Sequence, residues 1–305
     1  MEFPYDLLIN ALLAVLLLGA FYAVVTVGVS ISFGILDIVN IAHPGFIILG
    51  SYVAYIVNTR LGVDPIVASV VMLPAFYALG AMVYQVYYAS FEKRGQDSLR
   101  GLAFFFGLLF VTEVALVLVF GVDYRSVQAP YIGPSVCSTK IDVLGLINAL
   151  CNYGIDVPFR MLVPCLVALA LFAALQLFMT KTFIGRAIMA VAQDQLALQL
   201  MAASPLRIKR IAFAISIATA AVAGALLIVI GPVEPSVGRE YIGRVFAICV
   251  LGGLGSLPGT LIGAILLGIV ESLTATFYGP SWSPAVSFGV LLLVLAFRPS
   301  GLFGR

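Results

Sequence analysis

Residues 7–58 read LLINALLAVLLLGAFYAVVTVGVSISFGILDIVNIAHPGFIILGSYVAYIVN. Residues 7–33 carry no charge and exceed the roughly 20 apolar residues that a helical membrane span needs. The segment 34–58 follows with no polar loop between. Its first part, GILDIVNIAHPGF, nevertheless holds Asp37, Asn40, the single histidine His43, and Pro44. As one helix, 34–58 would rise about 36 Å. Pro44 removes a backbone donor and clashes with the carbonyl of Asn40, while Gly34 and Gly45 loosen the same region. The expectation is a broken second helix. Its freed backbone groups must be packed in protein or face a wet cavity. Asp37, Asn40 and His43 are spaced by three and share one face if the helix persists that far.

Composition places the rest of the chain in the same solvent. Of 305 residues, 62% are apolar and 10% charged, against roughly half and a quarter in soluble domains. The apolar runs are continuous and do not alternate, so the fold class is all-α, a polytopic helical membrane bundle, and not a barrel. Candidate spans are 7–33, 34–58, 66–90, 101–121, 160–180, 210–231, 242–256, 259–277 and 285–297. The seventh and ninth are short, and 242–277 either crosses twice or bends back, so eight or nine passes are expected within a single domain, 1–305. The first run reads as a retained span and not a signal peptide, because no basic region precedes it. A net charge of +2 without a basic run gives no reason to expect a nucleic-acid partner.

Lys93, Arg94, Arg100, Lys181, Arg186, Arg207, Lys209, Arg210, Arg298 and Arg305 fall in one set of loops. Arg60, Arg125, Lys140, Arg160, Arg239 and Arg244 fall in the other, with most of the acids. By the excess of positive charge the first set is cytoplasmic. The N-terminus is then outside and the C-terminus inside, which needs an odd number of crossings and favours nine.

A second interruption, VLGGLGSLPGTLIGAILLG at 250–268, contains Gly252, Gly253, Gly255 and Pro258. Gly/Pro-interrupted segments in both halves of a transporter point to its pathway. The plainer reading is close helix packing, favoured for Gly259, Gly263 and Gly268. Glu113 and Glu271 lie inside apolar runs, as proton-relay groups or as hydrogen-bonded carboxyls tying helices together. His43 has no Cys, His or acidic cluster around it in sequence, so no metal site is expected; a hydrogen bond to unwound backbone is. Cys165 and Cys249 sit in apolar runs and read as core residues. Cys137 and Cys151 share one polar loop and form either a disulfide, in an oxidising compartment, or two free thiols.

Residues 184–202 form an amphipathic stretch between two spans, ended by Pro205 and a basic cluster at 207–210. It reads as an interfacial helix on lipid or as a docking element for a cytoplasmic protein; its near-neutral face favours the second. This segment, with residues 19–54 and 246–305, resembles the inner-membrane permeases of branched-chain amino acid ABC importers, the shorter of the two permease types. At Pro44, Gly45 and Phe46 the sequence departs from the family pattern, as it does at Gln193 and Ala202.

The resemblance implies a pathway formed with a second permease subunit, alike or homologous. A periplasmic solute-binding protein would deliver cargo, and two ATPase subunits would bind the ATP and magnesium. The chain itself would hold no cofactor, catalyse nothing, and reside in the bacterial inner membrane. Residues 181–209 would be the coupling loop, with Gly185, Arg186, Ala190, Asp194, Gln195, Ala197 and Met201 at the ATPase. The outer loop 122–159 is either a dock for the binding protein or a solvated cap. The competing readings are an ion-coupled secondary transporter using Glu113, Glu271 or His43, and a passive channel.

Overall fold

The structure, a computed structural model, describes residues 5–95, 98–138, 157–193, 195–200, 203–298 and 301–303. The described residues form helices α1 (Tyr5–Gly34), α2 (His43–Leu61), α3 (Pro65–Ser90), α4 (Ser98–Phe120), α5 (Phe159–Lys181), α6 (Phe183–Gln193), α7 (Gln195–Leu200), α8 (Pro205–Ile230), α9 (Gly238–Gly252), α10 (Leu257–Phe277) and α11 (Ser283–Phe297). Among them there is no strand, only two isolated bridges.

Six helices (α1, α3, α4, α5, α8 and α10) are long and apolar enough to cross a membrane. The 15-residue helices α9 and α11 rise about 22 Å each, short of a hydrocarbon core of about 30 Å. Length and composition therefore give six spans, and do not reach the expected eight or nine.

Spans of nearly equal hydropathy differ widely in burial. The apolar window of α8 is 89% buried and that of α4 only 17%. The sequence of α8 explains its central place: its second half, ATAAVAGALL, offers a small-residue surface against which other helices can approach closely. A Cβ on Gly224 would run into the backbone of Ile47 and Ser51 in α2, and one on Gly80 of α3 would lie 2.9 Å from Ala214 Cα. Ser51 Oγ donates to the Gly224 carbonyl at 2.6 Å across that crossing. The glycines expected to serve packing do so: Gly259 and Gly263 abut α9, and Gly268 abuts Gly19 of α1.

One end of the bundle is tied by polar contacts. Asn58 of α2 exchanges two 3.1 Å hydrogen bonds with the backbone of Gln128, and Arg125 pairs with Val233 through two 2.9 Å backbone bonds. Tyr131 donates to Asp64 at 3.0 Å, and burial together with this bond raises its phenol pKa. Cys165 and Cys249 are buried free thiols. Cys137 is disulfide-bonded, whereas Cys151 lies outside the described residues.

Candidate transport site

The break in the second segment takes a different form from the expected kink. Residues 35–42 are not helical, and α2 starts only at His43. Pro44 occupies the first turn of α2, where no intrahelical donor is needed and a fixed φ suits helix entry. Proline here starts a helix and does not break one. Asp37 is exposed and adopts φ 57, whereas Asn40 and His43 are fully buried, so the three do not share a helical face. The same holds at the second interruption: Ser256 caps α10 by accepting from Gly259 N at 3.2 Å, and the exposed Pro258 lies in that first turn. The turn between α9 and α10 needs the positive φ of Gly253 and Gly255, 91° and 80°. The two interruptions meet, since a Cβ on Gly34 would collide with the backbone of Gly255. Gly45 packs against Leu109 of α4.

His43 fills the space left by Gly28, where a Cβ would overlap its imidazole, and Ser216 Oγ of α8 donates to the Gly28 carbonyl at 2.6 Å. Among the described residues, neither His43 nitrogen and neither end of the Asn40 amide finds a hydrogen-bond partner. The Val25 backbone faces the imidazole without good hydrogen-bond geometry. The expected bond from His43 to unwound backbone is thus not formed.

Two short helices start at one depth. Gly238, the first residue of α9, abuts α2: its Cβ would lie 3.2 Å from Ile48 Cγ1 and 3.5 Å from the Pro44 carbonyl oxygen. Ile48 is about 15 Å along the helix from Asn58, which binds the backbone of Gln128. That is half of a hydrocarbon core of about 30 Å. From this level α2 runs to Asn58 and Gln128 and α9 runs the other way, to the turn beside Gly34. Their N-termini, each carrying a partial positive charge, converge inside the bundle. This is the arrangement by which discontinuous helices build transporter sites.

Beside that point Arg239 of α9 donates from Nη2 to Glu113 Oε1 of α4 at 2.6 Å. The Glu113 side chain is 12% exposed and that of Arg239 54%. A second carboxylate is placed very differently. Glu271 of α10 accepts from Arg244 Nε of α9 at 3.0 Å, from Tyr22 Oη of α1 at 2.8 Å, and from Ser287 Oγ of α11. Arg244 also lies over the Tyr241 ring, 5.4 Å from its centroid. At the opposite rim, Lys209 pairs with Glu92 at 2.7 Å beside a cleft of about 440 Å³ that is also lined by Asp37, Ile38 and Phe105. Lys209 and Arg244, expected as loop charges, are thus internal ion-pair partners; Arg239 too stands in a helix within the bundle.

The amphipathic stretch forms α6 and α7, with Asp194, Met201 and Ala202 outside the described residues. Thr182 Oγ accepts from Gly185 N at 3.0 Å, and a Cβ on Gly185 would strike the end of α5, so glycine lets α6 fold back. Ile188 and Val191 are buried; Arg186 is exposed and Ala190 half-buried. Phe183, Ile184 and Met189 are exposed. Gln195 and Ala197 lie in α7.

Residues 11–295 match the model of the family described as branched-chain amino acid transport system, permease component. The chain belongs to this family. It is 30% identical over 291 residues to the high-affinity branched-chain amino acid transport system permease protein BraD of Pseudomonas aeruginosa, covering 95% of this chain and 94% of that protein. It is 28% identical to LivH of Escherichia coli K12, covering 94% and 92%. LivM of the same organism, a permease protein of the same system by name, matches at 37% over 139 residues, 45% of this chain. No solved structure matches. The family is a transport permease component and not an enzyme.

In this permease the residues that sequence reasoning missed are Arg239 and Arg244. Arg239 lies just before, and Arg244 just inside, the short candidate span 242–256, and both stand in the first two turns of α9. The available signal was the pair of acids, Glu113 and Glu271, in apolar runs, since buried carboxylates call for cationic partners.

Proposed function

We propose that this chain is a pathway-forming subunit of an ABC importer for a branched-chain or other hydrophobic amino acid, or a related small organic solute. The observation that carries this reading is the family match along residues 11–295, with relatives aligned over more than nine-tenths of both chains. A second permease subunit, identical or homologous, completes the pathway; the similarity to both LivH and LivM supports a paired arrangement. A periplasmic binding protein supplies cargo. Two cytoplasmic ATPases bind ATP and magnesium and drive alternation between inward and outward states.

The chain sits in the bacterial inner membrane, amid lipid, with the N-terminus outside and the C-terminus in the cytoplasm, an arrangement in which a shorter helix adds a crossing to the six long ones. The segment 181–209 receives the ATPase, and the exposed Phe183, Ile184 and Met189 are the apolar contacts it offers. Asp194→Lys with Gln195→Lys should abolish co-purification of the ATPase while the permease stays folded. The pathway runs past the converging starts of α2 and α9, with Asn40, His43, Pro44 and Gly45 on one side. The turn at Gly252, Gly253, Gly255 and Pro258 lies at its cytoplasmic end, beside Asp37. Cys137 pairs with Cys151 and closes the outer loop. The ion-coupled alternative loses one of its three candidate groups, since Glu271 is committed to Arg244, Tyr22 and Ser287.

Reconstitution in proteoliposomes tests this. Uptake should require ATP, the ATPases and the loaded binding protein together. Uptake driven by a pH or sodium gradient with the permease alone would overturn it.

A further inference from the structure

We infer that Glu113 and Arg239 form a station for a zwitterionic solute, the guanidinium taking its carboxylate and the Glu113 carboxylate its ammonium group. The face of the bundle that carries them then lines the aqueous pathway. This rests on the importer reading above and adds to it the atoms that meet the cargo.

Depth is the first argument. Glu113 lies about 10 Å along α4 from its end at Phe120 and about 21 Å from Leu99. Arg239 reaches it from the start of α9, which the Gly238 contacts place beside the first two turns of α2, about 15 Å along that helix from Asn58. An arginine at the centre of lipid costs roughly 2.5–3.5 kcal/mol on insertion scales, and such residues face the bundle interior or a water-filled cavity. Arg239 is not interior, because 54% of its side chain is exposed. Water, or the second permease subunit facing it across the pathway, is the environment left for it.

Unused bonding capacity is the second argument. A guanidinium has five donors and a carboxylate about four acceptor sites. The Arg239–Glu113 bond is the one hydrogen bond that the described residues provide to either group. Both groups are open to a partner that carries one charge of each sign. A carboxylate there also lies near the N-termini of α2 and α9, which favour an anion.

The surroundings describe the rest of the solute. Phe106 and Phe110 lie two turns and one turn below Glu113 on the same side of α4, in edge-to-face contact at 4.9 Å, and are 51% and 39% exposed. They offer an apolar wall next to the charged pair. The chemistry that fits is an α-amino acid with a hydrophobic side chain.

The test uses the whole importer with radiolabelled leucine, and normalises uptake to the amount of assembled complex. Glu113→Gln and Arg239→Gln should each lower uptake about tenfold or more, as expected for loss of one charged hydrogen bond to the cargo. Arg239→Lys keeps the ion pair but not the planar fork, and should also fall below wild type; a pair that only holds helices together would tolerate it. Wild-type uptake in all three variants overturns the inference. Absence of ATP-driven leucine uptake by the unaltered importer instead counts against the cargo assigned in the importer reading. Independently of cargo, Arg239→Cys should react with a water-soluble, charged thiol reagent, and an unreactive Cys at this position overturns the inference.

Discussion

Two carboxylates in this chain answer the same electrostatic problem in opposite ways. Glu271 is 3% exposed and accepts from an arginine, a tyrosine and a serine, joining α1, α9, α10 and α11. Glu113 meets one arginine, and that arginine is half open. Both arginines come from α9, five residues apart, and so differ in nothing that composition or proximity would reveal. What separates them is how completely their bonding capacity is used. A saturated buried pair has nothing left for a ligand and acts as structure. An unsaturated pair at membrane depth has capacity that only water or a solute fills. The same contrast separates the proton-relay and structural readings of buried acids, and it assigns Glu271 to the structural side.

The largest expected effect tests the closed cluster. Arg244→Ala leaves Glu271 buried without its counter-charge and should destabilise the protein by about 3–5 kcal/mol. Arg239→Ala, at a half-exposed pair, should cost no more than about 1 kcal/mol. Thermal unfolding midpoints in detergent compare the two, and equal losses would erase the distinction. Replacing the closed pair wholesale, Arg244→Met with Glu271→Leu, should recover most of the Arg244→Ala loss, since buried ion pairs often give way to apolar residues at little cost. No such apolar replacement of Glu113 and Arg239 should restore uptake. The smallest effect is Tyr22→Phe, which removes one of several bonds to Glu271 and should lower stability by about 1 kcal/mol with uptake per folded complex unchanged.

Much of the bundle was legible in the sequence, and the failures have physical causes. Continuous apolar runs located α1, α3, α4, α5, α8 and α10, because a lipid-facing or buried helix has no polar face to confuse the pattern. The start of α2 was misplaced because Pro44 reads as a breaker, whereas its context makes it an initiator: eight residues of non-helical chain precede it. The spacing of Asp37, Asn40 and His43 misled for the same reason. Helical periodicity has meaning only where the helix exists, and these residues straddle its beginning. Counting Arg239 and Arg244 with the outer loops followed from treating Lys and Arg as topological markers. Their actual partners stand 126 and 27 residues away, a relation that no local pattern contains. The contact between the two interruptions at Gly34 and Gly255 depends on α9 and α10 folding back at Gly253, which neither segment's composition contains.

The contrast between the open and the closed pair can be measured in one experiment. Arg239→Cys and Ser287→Cys place a thiol at each pair, and a membrane-impermeant charged thiol reagent is added to the intact importer. The account predicts rapid modification at position 239, and none at 287 until the protein is unfolded. Equal reactivity at the two positions, or protection of position 239, would contradict it.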